Sequence, residues 1–127
     1  MKTLKSLGII LLLALPALAQ LTPVGVTGNA SLTNSLTVST VPLKLYQLSG
    51  LNMAASLQYV QIFSQTNAAT NGGTPTFSFP VNATNYFTWD FGVNGVDLDA
   101  CVVKVSTNAA TLGTAPANTS LQALKKN

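Results

Sequence analysis

The side chains with the chemistry of a hard-cation site or an acid-base pair are three aspartates close together, Asp90, Asp97 and Asp99, with Asn94 among them. Calcium is held by several oxygen ligands, and loop carbonyls near Gly92 and Gly95 would add to these carboxylates. Alternation along a strand puts Asp97 and Asp99 on one face. The spacing matches no calcium loop, however. It reads as well with Asp90 facing outward on a strand and the other two opening the next. Glycoside hydrolysis also uses paired carboxylates, one of them with a raised pKa, and the chain has no Glu for that usual role.

Composition closes most other routes to catalysis. There is no His, Arg or Glu and only one Cys, so no Ser-His or Cys-His nucleophile and no usual zinc, haem or iron-sulfur site is available. No catalytic, cofactor-binding or metal-binding residue is assigned, and the chain is not read as an enzyme. The lone Cys101 shares a strand face with Val103 and Val105 while Lys104 points away, so a buried thiol is expected rather than an intermolecular bridge. Tyr46, Tyr59, Tyr86 and Trp89 are candidates for a glycan-stacking platform, although alternation turns Trp89 inward with Phe87. Glycosylation sequons at Asn29, Asn82 and Asn118 matter only in a glycosylating host.

The elements that carry these residues begin after a leader. Lys2 and Lys5 precede an aliphatic run over 7–15, followed by Pro16 and by Ala17-Leu18-Ala19 ahead of Gln20. Positive start, short apolar centre and small residues before the cut are the parts of a secretory signal peptide, here residues 1–19. The run is shorter than the roughly 20 apolar residues of a membrane span. The expected product is residues 20–127, secreted or held at the cell surface, with no membrane segment. Its Lys44, Lys104, Lys125 and Lys126 against Asp90, Asp97 and Asp99 leave a net charge of about +1, which is no footprint for nucleic acid.

In that product, Ser, Thr and Asn interleave with Val, Leu, Ile and aromatics, the composition of strands exposed on one side. The clearest strands are 76–81 and 85–91, in which Phe77, Phe79 and Val81, then Phe87, Trp89 and Phe91, fall at period two. The short connection over 82–84 predicts a hairpin with one aromatic face at the heart of the core. Pro80, lacking a donor, predicts a sheet edge. Further strands are expected over 24–32, 35–41, 43–49, 57–64 and 99–106, with breaks at Thr22-Pro23, Val41-Pro42, Ser49-Gly50, 66–75 and 92–95. Residues 110–127 read as a loop with a weak last strand over 120–124. Seven short strands at this spacing predict a single all-β domain, an antiparallel β-sandwich or jelly roll.

The strings VPLKLYQLSGLN, LQYVQIF, GGTPTFSFPV, YFTWDFGVNGV and VVKVSTNAATLG, in that order from Val41, resemble a family of small β proteins encoded among tailed-phage and prophage virion genes. The resemblance implies a virion accessory role, such as capsid decoration or a fibre-associated module, with no catalytic residues to carry over. That family ordinarily carries no leader, so its exported counterpart would be a bacterial surface or matrix protein. Two functions are expected from these readings. One is a structural module that forms homo-oligomers or packs on a larger particle, and the other is a secreted glycan-binding or adhesive module.

Overall fold

The computed structural model describes residues 25–29, 31–67 and 69–127; the expected leader over 1–19 lies outside them. In chain order the strands are β1 (Gly25–Gly28), β2 (Ser35–Ser39), β3 (Leu43–Asn52), β4 (Gln58–Phe63), β5 (Phe77–Val81), β6 (Asn85–Asp90), β7 (Val96–Leu98), β8 (Cys101–Ser106) and β9 (Thr119–Lys126). They form two antiparallel sheets. The first runs β1-β9-β3-β6, with β7 continuing the β6 side of β3, and the second runs β2-β8-β4-β5.

The pairing is nested. β1 pairs with β9, β2 with β8, β3 with β6 and β7, and β4 with β5, as in one long antiparallel ribbon whose tip is the β4–β5 connection. Rolling that ribbon brings β3 against β9 and β4 against β8. The result is a jelly-roll β-sandwich, as the strand count and alternation predict.

Alternation builds the core. Leu45 and Leu48 from β3, Val60 and Ile62 from β4, Cys101 and Val103 from β8, and Leu121 and Ala123 from β9 are essentially without exposure. The extra residue in β3 falls between Leu45 and Gln47, a bulge against β9 that keeps Leu45 and Leu48 both inward. Gly50 lies inside β3, where any side chain would collide with the Ser120 carbonyl and with the Phe87 ring. The break expected at Ser49-Gly50 is therefore not a turn. The glycine lets the cross-strand Phe87 ring lie over the backbone.

The hairpin expected of 76–81 with 85–91 does not form, because β5 and β6 belong to opposite sheets. The connection over 82–84 is an arch, with Thr84 in the left-handed region (φ 50°) and its N–H donating to the Ala54 carbonyl at 3.1 Å. Phe77, Phe79, Phe87, Trp89 and Phe91 do face one another, but across the sandwich: the Trp89 ring lies 4.5 Å from Phe79 and 4.6 Å from Phe87. β5 is a sheet edge, as Pro80 predicts, and β6 is an edge of the other sheet, so this cluster seals the rim and the aliphatic strands form the heart. Two further differences concern length and place. The last strand spans Thr119–Lys126 and is central, paired on both sides, and β7 is a strand in addition to those expected.

Asn52, fully buried at the end of β3, ties this end together. Its Nδ2 donates to the carbonyls of Ser56 (3.1 Å), Val81 (3.2 Å) and Asn82 (2.9 Å), and its Oδ1 accepts the Ala54 N–H at 2.9 Å. Replacing it by Leu, of similar volume, strands the buried Val81 carbonyl and Ala54 N–H without a partner. Asn52→Leu should lower unfolding stability by about 3 kcal/mol or more. Val93→Ala, at a side chain 93% exposed, should stay within about 0.5 kcal/mol. Denaturant titrations that give the two variants equal midpoints would refute this role for Asn52.

Candidate functional site

The three aspartates are placed around the β6–β7 junction, each with a separate local task. Asp90 ends β6, and its carboxylate accepts the Gly92 N–H at 2.7 Å, tightening the turn that leads to Gly95. Asp97 sits on β7 opposite Lys44 of β3, and the two form an exposed ion pair at 2.8 Å. Asp99 is exposed just before β8, with its backbone N–H donated to Ser64 Oγ at 3.1 Å. Among the described residues, no three His, Cys, Asp or Glu side chains are grouped to hold a metal ion.

The aromatic candidates do not form one platform. Tyr59 lies on β4 in the second sheet, Trp89 is enclosed by Phe79 and Phe87, and Tyr86 stands exposed on β6. Tyr46 sits at the β3 bulge, its ring packed beside Gly95, whose φ of +60° brings its backbone close to that ring. A groove of about 480 Å³ runs past Tyr46 between Lys44, Asp97, Asp99 and Lys126 over an apolar floor of Leu43 and Leu98. Lys126 is directly opposite Lys44 across the β9–β3 ladder, so charge gathers at this end of the first sheet.

The two outer faces differ. On the second sheet, the loop residues 64–67, 69–76 and 107–118 close over Gln61, Phe63 and Ser106. Gln61 Nε2 donates to the carbonyls of Asn108 (2.8 Å) and Thr111 (3.2 Å), while Ser106 Oγ accepts the N–H groups of Asn108 (3.0 Å) and Gly113 (2.8 Å). The loops also bind one another, Gly72 N–H to the Leu112 carbonyl and Leu112 N–H to that of Gly73, both at 2.8 Å. Phe63, Ala69 and Leu112 form a second small core beneath them. Sequence reasoning missed this cover, because nothing in Gln61 or Ser106 as residue types announces it.

Among the described residues, nothing closes over the outer face of the first sheet. Across it run Thr88, Ser49, Gln122 and Gly28 in one row, with Tyr86, Leu51 and Ser120 in the next, none of them charged. A shallow groove of about 550 Å³ lies along these residues. The expected thiol is also in place. Cys101 is without exposure inside the core, and its pKa is pushed up to about 12 by burial, with the Lys125 charge opposing the shift.

A raised thiol pKa means that the folded chain holds a proton the unfolded chain releases. The stability it contributes is whole below about pH 9 and is lost as pH rises toward 12. The unfolding midpoint of the parent should therefore fall more steeply over this window than that of Cys101→Val. Maleimide should label the thiol only on unfolding. Rapid labelling of the folded chain, or parallel pH profiles for parent and variant, would contradict this placement.

Neither protein-family models nor curated proteins nor solved structures match this chain, and the site stands on its own geometry.

Proposed function

We propose that the protein is a non-catalytic, exported structural module that assembles with copies of itself or onto a larger particle. The observation that carries this reading is the asymmetry of its two outer faces. One is closed by its own loops, while among the described residues the other presents uncharged Ser, Thr, Gln, Leu and Tyr side chains across β6, β3 and β9. Burying these two rows against a partner strands no charge, the costliest failure of a protein interface. The resemblance to virion accessory proteins and the leader-like N-terminus support an assembly working outside the cell or on a particle. The sparse cations support no nucleic-acid partner.

A second reading, a secreted glycan-binding or adhesive module, is supported by the groove beside Tyr46, which sets an aromatic ring among paired charges. The two readings separate by experiment. Assembly through uncharged faces and backbone pairing depends little on screening, so sedimentation should show association that persists between about 0.1 and about 1 M salt. Electron microscopy of the same preparation should show discrete oligomers or ordered particles. A strictly monomeric protein that binds clearly on a glycan array would overturn the structural reading and establish the adhesive one.

A further inference from the structure

Strands that end a sheet carry unpaired backbone groups, and folded proteins blunt such edges with short strands, prolines, bulges or charge. Of the five edge strands among the described residues, β1 is only 4 residues long with glycine at both ends, β7 is only 3 residues long, β2 is bulged between Thr37 and Ser39, and β5 contains Pro80. β6 has no proline or bulge, and its one charge is Asp90 at its end. Its 6 residues keep unbroken register with β3 and include no Pro, Gly or Lys.

The groups that β6 leaves free follow from its ladder. Phe91 N–H donates to the Tyr46 carbonyl at 2.8 Å. In an antiparallel pair, alternate residues turn both N–H and C=O toward the same neighbour. With no register shift from Asn85 to Asp90, the residues Asn85, Phe87 and Trp89 face β3, and Tyr86, Thr88 and Asp90 face outward. The open edge thus holds three donors and three acceptors at alternate positions.

We propose that a second copy of this chain pairs with β6 about a two-fold axis through Thr88, joining the two first sheets into one continuous sheet. The inference rests on the assembly reading above and names its contact. Side chains opposed across a ladder share a face, so the axis must pass through a residue. At Thr88 it sets Thr88 against Thr88 and Tyr86 against Asp90 of the copy, and every free donor and acceptor finds a partner. At Phe87 it sets Asp90 against the Thr84 arch and leaves it unpaired. The Thr88 register also brings the exposed Tyr86 beside a carboxylate on the outer face and Phe87 beside Trp89 on the inner one.

Cysteine cross-linking reads the register. Opposed residues in a ladder come within disulfide reach, so Thr88→Cys should oxidise to a covalent dimer while Tyr86→Cys alone should not. Cys101 is buried and leaves the assay clean. Thr88→Pro removes an outward donor without taking a bond from β3, and Thr88→Lys opposes two ammonium groups at the axis. Each should weaken dimerisation in sedimentation by about tenfold or more, with an unchanged β spectrum by circular dichroism. Should either variant fail to fold, the Thr88→Cys cross-link decides alone. Dimers that persist unchanged in both folded variants, or a Thr88→Cys protein that does not cross-link while the parent is dimeric, overturn the β6 contact and leave the assembly reading standing. A parent chain that is monomeric up to about millimolar concentration and binds no larger particle overturns both.

Discussion

The amide of Asn52 is the point on which this end of the sandwich depends. It is fully buried, yet both its donors and its acceptor are used, and its partners come from the β3–β4 and β5–β6 connections. Each of those connections crosses from one sheet to the other. A buried amide so placed holds two arches at a fixed separation, because releasing either leaves carbonyls or an N–H without water or partner. The aromatic rim then packs in the space the arches define, with Phe79 and Trp89 in contact across the sheets.

From that constraint the exposed features follow in turn. Crossing at 82–84 sends β6 into the first sheet as an edge strand, paired only with β3. The Gly92–Gly95 turn, tightened by Asp90, then returns the chain to the same side of β3 as β7. A rolled ribbon has two outer faces and four edges to protect, and this chain spends its long loops on one face only. Among the described residues, the bare face and the β6 edge, charged only at Asp90, lie on the same sheet and offer one contiguous surface to a partner.

Much of this was legible locally. Period-two apolar residues located β5, β6 and β8, Pro80 marked an edge, and the Val103 and Val105 alternation placed Cys101 inside. The pairing of β5 and β6 was not legible, since a three-residue connection suits a hairpin or an arch equally. What selects the arch is Asn52, some 30 positions away along the chain. Gly50 reads as a turn residue until Phe87 is seen lying over it. β9 looked weak because Ala123, Ser120 and Thr119 are poor in apolar bulk, yet small side chains are what a central strand needs where neighbours crowd it. The aspartates and tyrosines are chemistry-bearing types, but Asp90 holds a turn, Asp97 pairs with Lys44, and the tyrosines are spread over both sheets.

Amide-resolved hydrogen exchange along β6 at several protein concentrations tests the central claim most directly. The N–H groups of Phe87 and Trp89, bonded to β3, should be protected at every concentration. Those of Tyr86, Thr88 and Asp90 should exchange rapidly in dilute solution and become protected together as concentration rises. Uniform protection along the strand in dilute solution, or rapid exchange at alternate positions that no concentration suppresses, would contradict it.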